Sequence, residues 1–235
     1  MPPECQLLAW DTEFFGFRIA RVKQSILTSE EIRDVLDWCA RERIVCLYFL
    51  ADSLDGDTTR AVEDAGFHLA DIRITLERTP TKPVSGSQRI RLASETDIPQ
   101  LATMAAGHHT MSRFYSDPGF PRERCGALYA SWIEKSCRGD AQAVFVAEEN
   151  QRVAGYITCH HDDSTGRIGL TGVADWAQQR GVGTQLVSAA LDYFHSKEVD
   201  RVTVVTQGRN IPALRLYEGC GFRAQSVELW YHWWH

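Results

Sequence analysis

The sequence predicts an α/β protein, and three passages carry that prediction. Ile168, Leu170 and Val173 are apolar and set among glycines, the pattern of a buried strand. Gln178-Gln179-Arg180-Gly181-Val182-Gly183 turns the chain, and Leu186, Val187, Ala190, Leu191 and Phe194 recur at helical spacing, so a helix starts at about Gly181. Arg201 to Thr206 is β-branched and alternating, hence a strand, and Asn210 caps a short helix closed by Gly219 or Gly221. Ile44 to Leu50 is a continuous apolar run, as expected of a central strand.

The other elements follow in order. Leu7–Trp10 and Gly16–Val22 read as short strands around the cluster Trp10 to Gly16. Ser29 to Arg41 is an amphipathic helix with Ile32, Val35, Leu36 and Cys39 on one face. Asp57 to Ala65 is a second helix closed by Gly66-Phe67, and His68 to Leu76 is a strand. Residues 81–88 lie in a stretch of proline, glycine and serine and read as a linker between units 1–80 and 89–235. In the second unit a strand at Arg89–Leu92 precedes a helix from Ile98 to about Ala106, capped by Ser94 to Asp97. His108 to Phe120 is irregular, Arg122 to Cys137 is a long helix, and Ala143–Ala147 pairs with Val153–Cys159 across a turn at Glu149–Gln151.

Composition narrows the function. With 235 residues the chain forms one large or two small domains with ample core. A net charge of −6 argues against a nucleic-acid binder that works through phosphate contacts, yet leaves room for a small anion in a local basic pocket. Seven scattered cysteines without a C-x-x-C pair suit a reducing compartment. The N-terminus has no basic stretch followed by an apolar run, and no window reaches the length of a membrane span, so the expected location is the cytoplasm. His160-His161-Asp162-Asp163 could be a metal site or a solvated hairpin turn; neighbours on a strand point to opposite faces and no third ligand has suitable spacing, so no metal is expected.

The glycine loop is the chemical signal. Gly181 and Gly183 let main-chain amides approach an anion, and a helix start adds unpaired donors and a partial positive charge. A pyrophosphate suits such a loop; the plain alternative is a turn whose glycines serve close packing. The order strand, Gln-x-x-Gly-x-Gly, helix, strand, then Asn210-x-x-Ala213-x-x-Leu216-Tyr217 with Gly221-Phe222 beyond, resembles the GCN5-related N-acetyltransferase (GNAT) superfamily over roughly residues 88–235. Gln178 departs from the commoner Arg. The resemblance implies a central mixed sheet flanked by helices, preceded here by a truncated GNAT-like half domain, since Gly66-Phe67 can be laid over Gly221-Phe222 with Val62 where Tyr217 stands. A common helix–strand junction would explain the same match. Trp10 to Gly16, Ser112-Arg113-Phe114, Tyr129 to Glu134 and Arg167 to Leu170 add a similarity to the bacterial TDP-fucosamine acetyltransferases.

The resemblance implies an acetyl-CoA cosubstrate and a set of roles. Gln178, Gln179, Arg180, Gly181, Val182, Gly183 and Thr184 would hold the pyrophosphate, and a free amide at Gly172 or Val173 would polarise the thioester carbonyl. Asn210 would cap its helix, bind the cofactor arm, or do both. Tyr217 stands at the family's position for the general acid; its plain alternative is a core aromatic. Asp71 matches the base position, with Asp11 and Glu13 as weaker alternates. Arg113, Phe114 and Trp10 are the substrate-binding candidates, the arginine for an anionic group. The expected acceptor is a nucleotide-activated amino sugar; the other readings are a different small amine, such as an amino acid or antibiotic, and a non-catalytic acetyl-CoA sensor. The aromatic C-terminus from Trp230 reads first as core and second as a homodimer interface.

Overall fold

The computed structural model describes residues 4–80 and 90–235, so the linker expected at 81–88 lies outside the described residues. The first stretch runs β1 (Cys5–Leu7), α1 (Ala9–Phe15), β2 (Ile19–Val22), α2 (Ser29–Glu42), β3 (Cys46–Asp52), α3 (Gly56–Asp64) and β4 (His68–Arg78). The second runs β5 (Ile90–Leu92), α4 (Ile98–His108), α5 (Arg113–Ser116), α6 (Arg122–Lys135), β6 (Ala143–Glu149), β7 (Arg152–His161), β8 (Thr165–Val173), α7 (Val182–Ser196), β9 (Arg201–Gln207), α8 (Ile211–Gly219) and β10 (Arg223–Trp234).

Local chemistry accounts for most boundaries. Thr28 and Glu31 form a reciprocal capping box at the start of α2. Asn150 and Gln151 both take positive φ, 53° and 61°, the geometry of a tight turn between β6 and β7. The strand expected at Leu7–Trp10 stops at Leu7, and the aromatic run winds into α1 instead. Trp10 and Phe14, four residues apart, stack at 5.0 Å only because the segment is helical. Residues 113–116 within the expected irregular stretch also form a helical turn, and α6 ends at Lys135 in a wide turn whose Gly139 has φ 110°.

The described residues form one ten-stranded mixed sheet in the order β1-β2-β3-β10-β4-β9-β8-β7-β6-β5. The last strand, β10, lies between β3 and β4 and is antiparallel to both, with Trp230 opposite Leu50 on one side and Asp71 on the other. Successive residues feed different cores: Tyr48 packs with α4 and α6 residues such as Leu101 and Leu128, while Phe49 packs with Ile32 and Val35 of α2. A third core joins Leu186, Ala190 and Phe194 of α7 to Ile168, Val204 and Leu76.

One irregularity shapes the site. β8 and β9 pair in parallel from Thr165/Arg201 to Ile168/Val204 and then part. Beyond that point β8 stays bonded to β7, and β9 stays bonded to β4. At the point of parting, Gly169 and Leu170 of β8 stand opposite the single residue Thr158 of β7, a bulge that bends the strand. The buried Thr158 hydroxyl accepts the Leu170 N–H at 2.8 Å, an amide the bulge would otherwise orphan. A side chain at Gly169 would meet that hydroxyl at 2.6 Å, so the bulge needs glycine. Thr158→Val keeps the shape and removes the acceptor. It should cost about 1–3 kcal/mol in urea unfolding and weaken acetyl-CoA binding; an unchanged midpoint would contradict this account of the bulge.

Candidate active site

The glycine loop lies at the open end of β8. Gly181, at φ 79°, is the residue before α7, and Gln179 is also left-handed at φ 58°. The first amides of a helix have no partner within it, so those at Val182 to Thr184 face outward from the α7 start. Three side chains of the loop are otherwise engaged. The Gln178 amide donates to Val173 O at 3.2 Å and to Asp175 Oδ1 at 3.0 Å, pinning the loop to the strand rather than reaching out to a phosphate, as expected of it above. Arg180 pairs with Glu149 at 2.9 Å, and Val182 is buried. Gly183 packs against Leu216 of α8, where an added Cβ would sit 3.1 Å from the leucine, so this glycine also serves the helix contact. The loop therefore offers main chain more than side chain.

Inside the cleft, the alternation of an antiparallel ladder decides which amides are free. Ala174 N–H bonds to Ala154 O across the β7–β8 pair. Gly172, two residues earlier and opposite Tyr156, is then also turned toward β7. Thr171 and Val173 point their N–H groups the other way, into the gap left by β9. Of the two amides anticipated for the thioester, the one at Val173 faces the cleft. A side chain at Gly172 would strike Tyr156 at 2.6 Å. The buried Tyr217 of α8 reaches across and donates its hydroxyl to Thr171 Oγ1 at 3.3 Å. Burial pushes its pKa up to about 12, so the phenol stays protonated. Asn210 caps α8, accepting the Ala213 N–H at 3.2 Å.

The parted strands also open on a cavity of about 440 Å³ whose walls include Asp71, Arg113, Phe114, Trp132, Gln207 and Trp230. It unites three of the residues picked from sequence. Asp71, on β4, is 3% exposed; its carboxylate accepts the Ile72 N–H at 2.9 Å and lies 3.5 Å from Arg209 Nε. Burial outweighs the arginines and pushes its pKa up to about 6. Arg113 is caged: its guanidinium lies 4.0 Å from the Tyr48 ring, 4.2 Å from Phe114 and 4.5 Å from Trp230. It also donates to His232 Nε2 at 2.6 Å. His232 must then carry its proton on Nδ1, which donates to Asp117 Oδ2 at 2.5 Å, and burial lowers its pKa to about 4. An arginine so held orients its neighbours rather than swinging onto a free phosphate. Trp10 does not line the cavity; it stands behind Trp132, with ring centroids 6.5 Å apart. Asp11 and Glu13, on α1, are also outside the lining.

Sequence reasoning passed over Arg209, Tyr48, Trp230 and His232. Arg209 carried no motif, and the other three were read as strand and core. His160 and His161 end β7, and Asp162 closes the turn by accepting the Ser164 and Thr165 amides at 2.9 and 2.7 Å. Among the described residues no cluster of three His, Cys, Asp or Glu could hold a metal ion. No helix there is long and apolar enough to cross a membrane.

A parted parallel strand pair, an amide-rich helix start at one end and a buried carboxylate at the other make up the candidate site. Residues 107–222 match the model of the acetyltransferase (GNAT) family. The chain is 30% identical over 229 residues to the dTDP-fucosamine acetyltransferase of Escherichia coli O6:H1, covering 95% of each. It is 27% identical over 138 residues to the spore coat polysaccharide biosynthesis protein SpsD of Bacillus subtilis, covering 59% of this chain and 48% of that one. A GCN5-related N-acetyltransferase from Sphaerobacter thermophilus superposes with a TM-score of 0.69 over 98% of this chain and 76% of its own; at 12% identity this likeness shows the fold alone. The chain belongs to the GNAT family and is an acetyltransferase. Acetyltransferases of this family use acetyl-CoA.

The raised pKa of Asp71 makes stability depend on pH. Between the reference value of 3.8 and about 6 the folded carboxyl keeps a proton that the unfolded one has lost. The folded state is therefore favoured at the low end of that window, and the advantage is lost as pH rises through about 6. Asp71→Asn cannot ionise. Its stability relative to the natural protein should climb by on the order of 2 kcal/mol between pH 4 and pH 7. Urea unfolding of both forms across that range checks this; a constant difference would refute the assignment.

Proposed function

We propose that the protein moves an acetyl group from acetyl-CoA to the amine of a nucleotide-linked amino sugar, a dTDP-4-amino-4,6-dideoxyhexose, by direct attack. The observation that carries this reading is that Tyr217 and the Val173 amide at one side, and Asp71 at the other, face the same parting of β8 and β9. The relative from Escherichia coli, named for dTDP-fucosamine, supports the choice of acceptor. In the same reading residues 1–80 are a truncated half unit that supplies one wall of the acceptor cleft through Asp71 and Arg73, and residues 89–235 carry the cofactor side.

Each step has a chemical demand and a residue to meet it. The pyrophosphate of the cosubstrate is held by the main chain of Gln179 to Thr184, with Asn210 bounding the arm. The pantetheine arm lies along Thr171 to Val173 like an added strand, bonding the two outward amides. The Val173 N–H then stabilises charge on the thioester oxygen as the amine attacks. An ammonium cannot attack, so a proton must leave. Asp71, with a pKa near 6, is ionised at pH 7 and basic enough to take it, directly or through water. Phe114 and the caged Arg113 shape the site around that carboxylate, and Trp10 supports Trp132 from behind.

Tyr217 serves the leaving group. Complete transfer from a phenol near 12 to a thiolate whose acid has a pKa of about 8.5 is uphill by roughly 4–5 kcal/mol. Its useful act is a hydrogen bond to the developing thiolate, available because burial keeps the proton in place. Tyr217→Phe retains the ring. It should lower kcat by about 10²-fold or more while the KM for acetyl-CoA stays within about two-fold. Release of CoA thiol with a dTDP-linked amino sugar, a free amino sugar and an amino acid measures both the role and the acceptor class. Unchanged kcat would remove Tyr217 from the chemistry, and equal turnover of all three amines would remove the sugar-nucleotide reading.

A further inference from the structure

The acceptor cavity does not end at Asp71. It adjoins a second cavity of about 360 Å³, and the two share Trp132, Arg167 and Gly169. A third, of about 380 Å³, continues past Arg167 and His160 toward Thr165. Arg167 borders all three. The protein has more acidic than basic residues, and several arginines are matched: Arg60 with Asp57, Arg73 with Glu228, Arg91 with Asp97, Arg180 with Glu149. Among the described residues the Arg167 guanidinium has no hydrogen-bond or ion-pair partner. Across the second cavity stands Lys135, whose ammonium lies 3.8 Å from the Trp10 ring centre; it is near enough to Asp11 to feel its charge but is in no ion pair among the described residues. Asp140 is the one carboxylate on that cavity's lining, against two cations.

We infer that this groove holds the phosphates of the acceptor: a nucleoside diphosphate lies between Arg167 and Lys135, with the sugar it carries directed toward Asp71 and the nucleoside toward Thr165. The inference rests on the acceptor reading above and assigns that reading its anion site. Register supports the length required. Arg167 is opposite Thr203, and Arg73 is opposite Gln207, four positions along β9; Asp71 is two positions further along β4, six in all. Six positions span roughly 20 Å. A free amino sugar cannot touch both ends; a sugar extended by a diphosphate can. Trp132, on the wall common to the first two cavities, gives the sugar an apolar face. His160, kept neutral by burial and by Arg167, can hydrogen-bond a phosphate or hydroxyl without adding charge. Arg113, the arginine the sequence singled out for an anion, is committed to its aromatic cage and to His232, which leaves the anion to Arg167 and Lys135.

Calorimetric titration of the full-length protein with dTDP tests the groove without catalysis. The natural protein should bind dTDP, more weakly as salt rises. Arg167→Gln and Lys135→Gln should each weaken it about ten-fold, with unfolding midpoints unchanged because both side chains are exposed. No binding of dTDP by the natural protein, or equal affinity in Arg167→Gln, would overturn the inference. CoA release separates this from the function itself. If a free amino sugar is acetylated as well by Arg167→Gln as by the natural protein while the dTDP-linked one shows a raised KM, the groove stands. If both amines are indifferent to the change, the groove falls and the acetyltransferase remains. If no nucleotide-linked amine releases CoA, the acceptor reading falls and the groove falls with it.

Discussion

A strand can be hydrogen-bonded on two sides, and β8 loses one of them halfway along. Up to Ile168 it is held by β7 and β9; beyond the bulge at Gly169 and Leu170 it follows β7 alone. Main-chain donors turned away from a partner in a protein interior are costly unless something accepts their bonds. The amides of Thr171 and Val173 are in that position, and a substrate with strand-like amides satisfies them. In the proposed reading the parting supplies both the room for a cosubstrate arm and a reason for it to bind. Everything chemical is arranged around it: the α7 start at its outer end, Tyr217 against Thr171, and Asp71 on the far side of β9.

The acceptor side depends on strand order. β10 is inserted between β3 and β4, so residues far apart in sequence meet across it: Tyr48 of β3, Trp230 and His232 of β10, and Asp71 of β4. The Arg113 cage is built from this junction, and an Asp117–His232–Arg113 chain centred on the buried His232 ties α5 to it. Arg113 is half-buried, and a cation partly withdrawn from water needs compensation for the solvation it loses. Here three aromatic faces and a neutral imidazole share that task, and Asp117 is also held by the Trp234 N–H at 2.9 Å. The fixed guanidinium and Arg209 temper the burial of Asp71 without cancelling it, which leaves a carboxylate able to change protonation near neutral pH.

The elements of the proposed cofactor half were legible because their signals are local. A strand, a glycine turn and a helix start are written in consecutive residues, and the Tyr217 motif follows within one further strand and helix. The acceptor half was legible only in part. Asp71 and Arg113 were found through resemblance, but the cage around Arg113 depends on a pairing of β10 with β3 and β4 that no local pattern encodes. Gln178 was assigned to the phosphate through the resemblance, at the motif position where Arg is commoner; its side-chain amide secures the loop to Val173 and Asp175, an engagement visible only once the turn is folded. The run at Trp10–Phe15 was misread as strand-flanking for a physical reason: aromatic residues favour strands by propensity, and here helical spacing of Trp10 and Phe14 allowed them to stack.

The account turns on whether the outward amides of β8 receive the cosubstrate arm. Hydrogen exchange at single-residue resolution, with and without saturating acetyl-CoA, reads this directly. The Thr171 and Val173 amides should be fast in the free protein and slow by about ten-fold or more when acetyl-CoA is present, while Gly172, already turned toward β7, should change little. Equal exchange at Thr171 and Val173 in both conditions would mean that the arm does not lie along β8, and the acetyl-transfer geometry described here would be wrong.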